Sequence, residues 1–116
     1  MRYVLFICAA AESAGAETAE ADSGSVPAAS DGWREEMRRR GVLLDGAALW
    51  PTSDATTVRV RAGSVQITDG PFAETPDQIG GISLIECADL DEAIEVAEAH
   101  PAAGSGLVEI RPVRER

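Results

Sequence analysis

At 116 residues, 45% of them hydrophobic, the chain has room for one domain with a single modest core, and residues 1–116 are read as one unit. A formal net charge of −10 argues against nucleic acid as a partner, because that contact depends on Lys and Arg neutralising phosphates. No run reaches the roughly 18 apolar residues that a membrane span needs, and Cys8 and Cys87 both sit inside short apolar runs where a small buried thiol is the ordinary reading, which fits a reducing, cytoplasmic setting.

The first run, "RYVLFIC" (residues 2–8), is too short for a helix buried on all sides and is predicted as a central strand. Residues 9–32 are rich in Ala, Glu, Ser and Gly. Within them, residues 9–25 lack the apolar stripe that would dock a helix and are expected to form a flexible insertion. From Val26 a stripe appears: Val26, Ala29, Ser30, Trp33 and Met37 fall on one face of a helix ending before Gly41. Gly32 weakens that helix by about 1 kcal/mol relative to Ala, so docking of Trp33 and Met37 must supply the balance. The run "REEMRRR" (34–40) at its end is read as a solvated face that complements the helix dipole.

Next, "GVLLDGAALW" (41–50) reads as a strand with a glycine that permits a bulge, and "PTSDA" as a loop. "TTVRVRAGSVQITDG" alternates cleanly, with Val58, Val60, Val65 and Ile67 on one side and Arg59, Arg61, Gln66 and Thr68 on the other. Ala62-Gly63 between the runs makes it a hairpin. "GGISLIECA" (80–88) is a further buried strand. In "DLDEAIEVAEAHP", Asp89 and Glu92 have capping-box spacing, Leu90, Ala93, Ile94 and Ala97 form the expected inward stripe, and Pro101 stops the helix. "GLVEIRPV" (106–113) alternates as a last strand.

This order is solved most economically by a largely antiparallel sheet with two helices on one face, a ferredoxin-like α+β fold with an inserted β-hairpin. "YVLFIC" and "ISLIE" are apolar on both sides, so the open face is expected to be covered by a second copy in a symmetric homodimer.

"TDGPFAET" (68–75), then a Gly-Gly strand ending in Ile-Glu, then "DLDEAIEVA", "HP" and "VEIRPV" resemble the YCII-related family, specifically its DGPF type, over residues 2–8 and about 41–113. The resemblance implies a dimeric α/β-barrel of ferredoxin-like subunits. Some relatives are linked to dehydrochlorination of small hydroxylated aromatics, and DGPF members are often encoded beside extracytoplasmic-function sigma factors. The chain departs from the pattern at Pro76-Asp77, where Lys-Glu is usual, and at Ile82-Ser83, where an aromatic is usual, which widens any pocket there.

Geometry alone accounts for the letters Asp69-Gly70-Pro71-Phe72: a turn-forming Asp-Gly, a φ fixed by Pro71, and a Phe72 free to plug the core or a dimer seam. The same corner is also a rigid platform for two acids, Asp69 and Glu74, with Gly70, Pro71, Phe72 and Glu74 as ligand-binding candidates. His100 is the one histidine, so an imidazole acid-base step would have to use it, and the end of a helix favours its charged form. Asp69 and His100 are the catalytic candidates, expected to converge near a dimer interface. One His and two Cys in separate strands give no zinc-type spacing, and no phosphate loop or serine elbow is present, so neither metal nor cofactor is expected. Three classes stay open: a small-molecule enzyme of proton transfer or elimination, a ligand-binding or regulatory module acting with a sigma factor, and a structural dimer.

Overall fold

The computed structural model describes residues 1–10 and 30–115. Most of the expected insertion, and positions Val26 and Ala29 of the first helix, lie outside the described residues. Along the described chain run β1 (Arg2–Ala10), α1 (Asp31–Arg39), β2 (Leu43–Ala48), a 3-10 turn (Thr52–Asp54), β3 (Thr56–Arg61), β4 (Ser64–Asp69), β5 (Asp77–Glu86), α2 (Leu90–Glu98), the one-turn α3 (Ala102–Ser105) and β6 (Leu107–Pro112). Strands β2, β5, β1 and β6 pair antiparallel in that spatial order, and β3 with β4 makes a separate two-stranded sheet. The result is a mixed α+β architecture with antiparallel sheets, compatible with a ferredoxin-like fold.

The core follows from strand parity. Tyr3, Leu5 and Ile7 of β1 stand beside Ile85, Ser83 and Gly81 of β5 and beside Pro112, Ile110 and Val108 of β6. Side chains alternate across a strand, so these positions share one face. Trp33 and Met37 of α1 and Ala93, Val96 and Ala97 of α2 pack on that face, and Leu5 and Ile85 are fully buried. The opposite face pairs Val4 with Leu84 and Phe6 with Ile82. Its side chains are half-buried or exposed, Ile82 among the exposed.

Several sequence expectations shift. In α2 the inward set is Ala93, Val96 and Ala97, whereas Leu90 and Ile94 are exposed. The helix is rotated so that its small residues meet the sheet, and the Val96 carbonyl accepts the indole N–H of Trp33 at 2.9 Å. The cap itself is as read: Asp89 accepts the Glu92 N–H at 2.9 Å, while the Glu92 carboxylate accepts from Ala88 N–H, one residue before the expected position. Pro101 does not merely end a helix but is the N-cap of the single turn of α3.

The bulge in β2 falls at Leu44, between Leu43 and Asp45, and Gly46 serves another purpose. A Cβ there would stand 3.0 Å from the Ile82 carbonyl, so Gly46 permits close strand approach. A second irregularity pairs Ile7 with Gly81 but Cys8 with Ile79, leaving Gly80 without a partner on β1. β5 begins at Asp77 rather than residue 80 because Ala9 and Ala10 extend β1 and pair with Gln78 and Asp77.

The arginine run is solvated, as charge at a helix end should be: Arg38, Arg39 and Arg40 are exposed. Cys8 and Cys87 are free and buried. Burial raises both thiol pKa values, and nearby carboxylates, Glu109 and Asp77 for Cys8 and Glu92 for Cys87, push the same way. The neutral thiols therefore stabilise the fold fully below the unfolded thiol pKa of about 8.5, and this contribution is lost as pH rises toward the higher folded value. An aromatic disulfide reagent at pH 8 is expected to label both cysteines far more slowly in folded than in urea-unfolded protein; equal rates would show that the thiols are open to solvent.

Candidate functional site

The corner after β4 is built by backbone bonds. Asp69 closes the hairpin opposite Thr56, and Gly70 then takes φ 108, a value that favours glycine. The Gly70 N–H donates to Ala55 carbonyl oxygen at 2.7 Å, and the Thr57 hydroxyl donates to the Gly70 carbonyl at 2.8 Å. Residues 69–71 are thus fastened to the strand that leaves the 3-10 turn.

Two clefts meet at this corner. The larger, about 660 Å³, lies over the uncovered sheet face between Phe6 and Ile82 on one side and Trp50, Val58, Pro71 and Phe72 on the other. The smaller, about 420 Å³, is lined by Asp69, Gly70, Pro71, Glu74, Gln78 and the hydroxyl residues Thr52, Ser53 and Thr75. Thr52, Pro71 and Gln78 line both, so the two spaces adjoin. Phe72 is 74% exposed and does not plug the core of its own chain.

Asp69, Gly70, Pro71 and Glu74 therefore share one cleft, with Phe72 next door. His100 lies elsewhere. It is buried against Trp33, ring centroids 4.8 Å apart in an edge-to-face contact, and lines a small recess with Ile7, Arg34 and Ser83. Its Nδ1 accepts the Ala102 N–H at 3.0 Å, a bond that uses the lone pair on that nitrogen and satisfies the start of α3. The Asp69 and His100 recesses of one chain have no lining residue in common.

Sequence reading missed two contributors. Trp50, at the end of the expected strand 41–50, is 55% exposed and lines the larger cleft. Gln78, just ahead of the expected strand 80–88, is 8% exposed and lines both clefts. Its Nε2 is held by the Ala73 carbonyl at 2.8 Å and by the carbonyl and hydroxyl of Thr75 at 3.2 and 3.0 Å. A polar residue at the start of an apolar strand was the available signal.

The class that emerges is a small antiparallel α+β domain with an apolar cleft on the face its helices leave bare and an acidic corner beside it. The chain belongs to the YCII-related domain family, whose model matches residues 1–116. It is similar to an uncharacterised protein of Rhizobium meliloti (strain 1021), 47% identical over 77 residues, which cover 63% of this chain and 60% of that relative. The match thus spans less than two thirds of the relative's length.

Proposed function

We propose that two copies associate through their bare sheet faces as a dimeric α/β-barrel, and that each copy binds a small, mainly apolar molecule in the cleft between Phe6, Trp50, Phe72 and Ile82. The observation that carries this reading is the continuity of exposed apolar surface. Val58 lines the cleft and stands on the same hairpin face as Val60, Val65 and Ile67, all four more than half exposed. A patch of that extent joined to a cleft is the mark of an interaction site rather than ordinary surface.

In the adjoining smaller cleft, Asp69 is the carboxylate we assign to take a proton from a bound ligand, with Glu74 lining the same space, which would suit acid-base or elimination chemistry. The separate setting of His100 favours a structural part for the imidazole, bracing α2, α3 and Trp33. Two free buried cysteines support a reducing, cytoplasmic location.

Sedimentation at micromolar concentration should report twice the 12.2 kDa chain mass, and Ile82→Asp should give a folded particle of the single-chain mass. A wild-type monomer would overturn the barrel. For the cleft, an environment-sensitive apolar dye should bind and be lost on Phe72→Ala with Trp50→Ala. If ligands bind but none is consumed, and Asp69→Asn changes nothing, the non-catalytic reading holds instead: a regulatory module working with a sigma factor.

A further inference from the structure

The structure assigns the paired clefts a ligand class: an amphipathic organic cation, with its apolar body over Phe6, Ile82 and Phe72 and an ammonium head at the Asp69–Glu74 corner. This rests on the reading of the larger cleft as a small-molecule site and adds to it the sign of the ligand's charge.

The first support is the chemistry of the lining. Asp69 and Glu74 line the smaller cleft and Asp54 the larger, with hydroxyls from Thr52, Ser53 and Thr75 between them. Among the described residues no arginine or histidine lines either space, the sequence contains no lysine, and residues 11–29 contain no basic residue. An anion entering here would meet like charge with no compensating positive charge among the described residues, whereas an ammonium meets the carboxylates of Asp69 and Glu74, with Asp54 in the adjoining space.

The second support is independent of those acids. Gln78 is more than nine-tenths buried and lines both clefts. Two carbonyls, those of Ala73 and Thr75, bond to one end of its amide, which must therefore be the NH₂ end. That orientation leaves Oε1 as a fixed acceptor that takes no hydrogen bond among the described residues. Among the described residues the sealed side-chain polar atom without a partner is the Ser30 hydroxyl, so Oε1 is open to solvent and stands ready for a donor that enters the cleft. The ammonium supplies three N–H donors, enough for Oε1 and a carboxylate together. The exposed rings of Trp50 and Phe72 add a third attraction, since a cation is drawn to an aromatic face.

The test uses the purified full-length protein and three probes of one shape: 2-phenylethylammonium, the neutral 2-phenylethanol and the anionic 3-phenylpropionate. Binding is followed by tryptophan fluorescence, with Trp50 in the cleft and Trp33 buried in the core, and by ligand-observed NMR as a second readout. The ammonium is expected to bind about tenfold more tightly than the alcohol and the carboxylate weakest, with the preference shrinking as salt is raised from about 50 to 500 mM. Asp69→Asn with Glu74→Gln, both at exposed positions, should bring the ammonium down to the alcohol and leave the alcohol unchanged. Equal binding of alcohol and ammonium, or tightest binding of the carboxylate, overturns the cation assignment while the apolar cleft stands. Failure of all three probes removes the cleft reading and the assignment together.

Discussion

Gly106→Ala is expected to lower the melting temperature by roughly 10–15 °C, a large effect for a single added methyl group, following from about 3 kcal/mol of overpacking. A Cβ at Gly106 would lie 2.2 Å from the Cys8 carbonyl oxygen and 3.0 Å from the Ala9 Cα. Both obstacles are backbone, so no rotamer change relieves them. They also belong to β1 just where it pairs with the start of β6, Cys8 opposite Leu107, so relief requires the edge strand to move away from the centre of the sheet. Gly104→Ala, two residues earlier, is the control: nothing lies within 4 Å of a Cβ there, and it should melt at or slightly above the wild-type temperature. Differential scanning fluorimetry on the pair decides the matter, and Gly106→Ala melting beside Gly104→Ala would show that β6 does not hold the close approach to β1.

Trp33→Ala should cost about 3–5 kcal/mol, a large part of the 5–15 kcal/mol that holds a domain of this size together. The indole is buried between α1 and the sheet, touches the His100 ring, and donates to the Val96 carbonyl, which lies in the last turn of α2 where the helix has no N–H to offer it. One side chain thus fills the core, caps one helix and packs on the residue that starts the next. Trp33→Phe separates these parts. It keeps most of the ring volume but orphans a buried carbonyl, for an expected loss of about 1–3 kcal/mol. Urea titration of the three proteins should rank them wild type, Phe, Ala; a Phe variant as stable as wild type would show that the indole N–H bond contributes nothing.

The candidate site was legible unevenly. Asp69 through Glu74 could be marked from the sequence because Asp-Gly-Pro has so few conformations that a corner was the natural outcome, and the structure fastens that corner through Ala55 and Thr57. The inward stripe of α2 differs from the sequence expectation because Leu90 and Ile94 compete with Val96 for the core by hydrophobicity alone, and what decides is which side lets the backbone come close to the sheet. Ala93 and Ala97 do so, and Val96 follows them inward. Trp50 and Gln78 gave no periodic signal, since each belongs to the cleft through a turn or a strand irregularity rather than through a repeating face.

From the amino-acid order alone came the alternation of strands and helices, the hairpin register, the cap at Asp89 and the turn at Asp69-Gly70, because each depends on residues only a few positions apart. Only the tertiary structure decided that His100 sits beside Trp33 in a recess that Asp69 does not line, that Gly106 must have no side chain, and that Gln78 joins two clefts. Those outcomes depend on distances between segments far apart in the chain, and local preference carries no information about which backbone will lie against which.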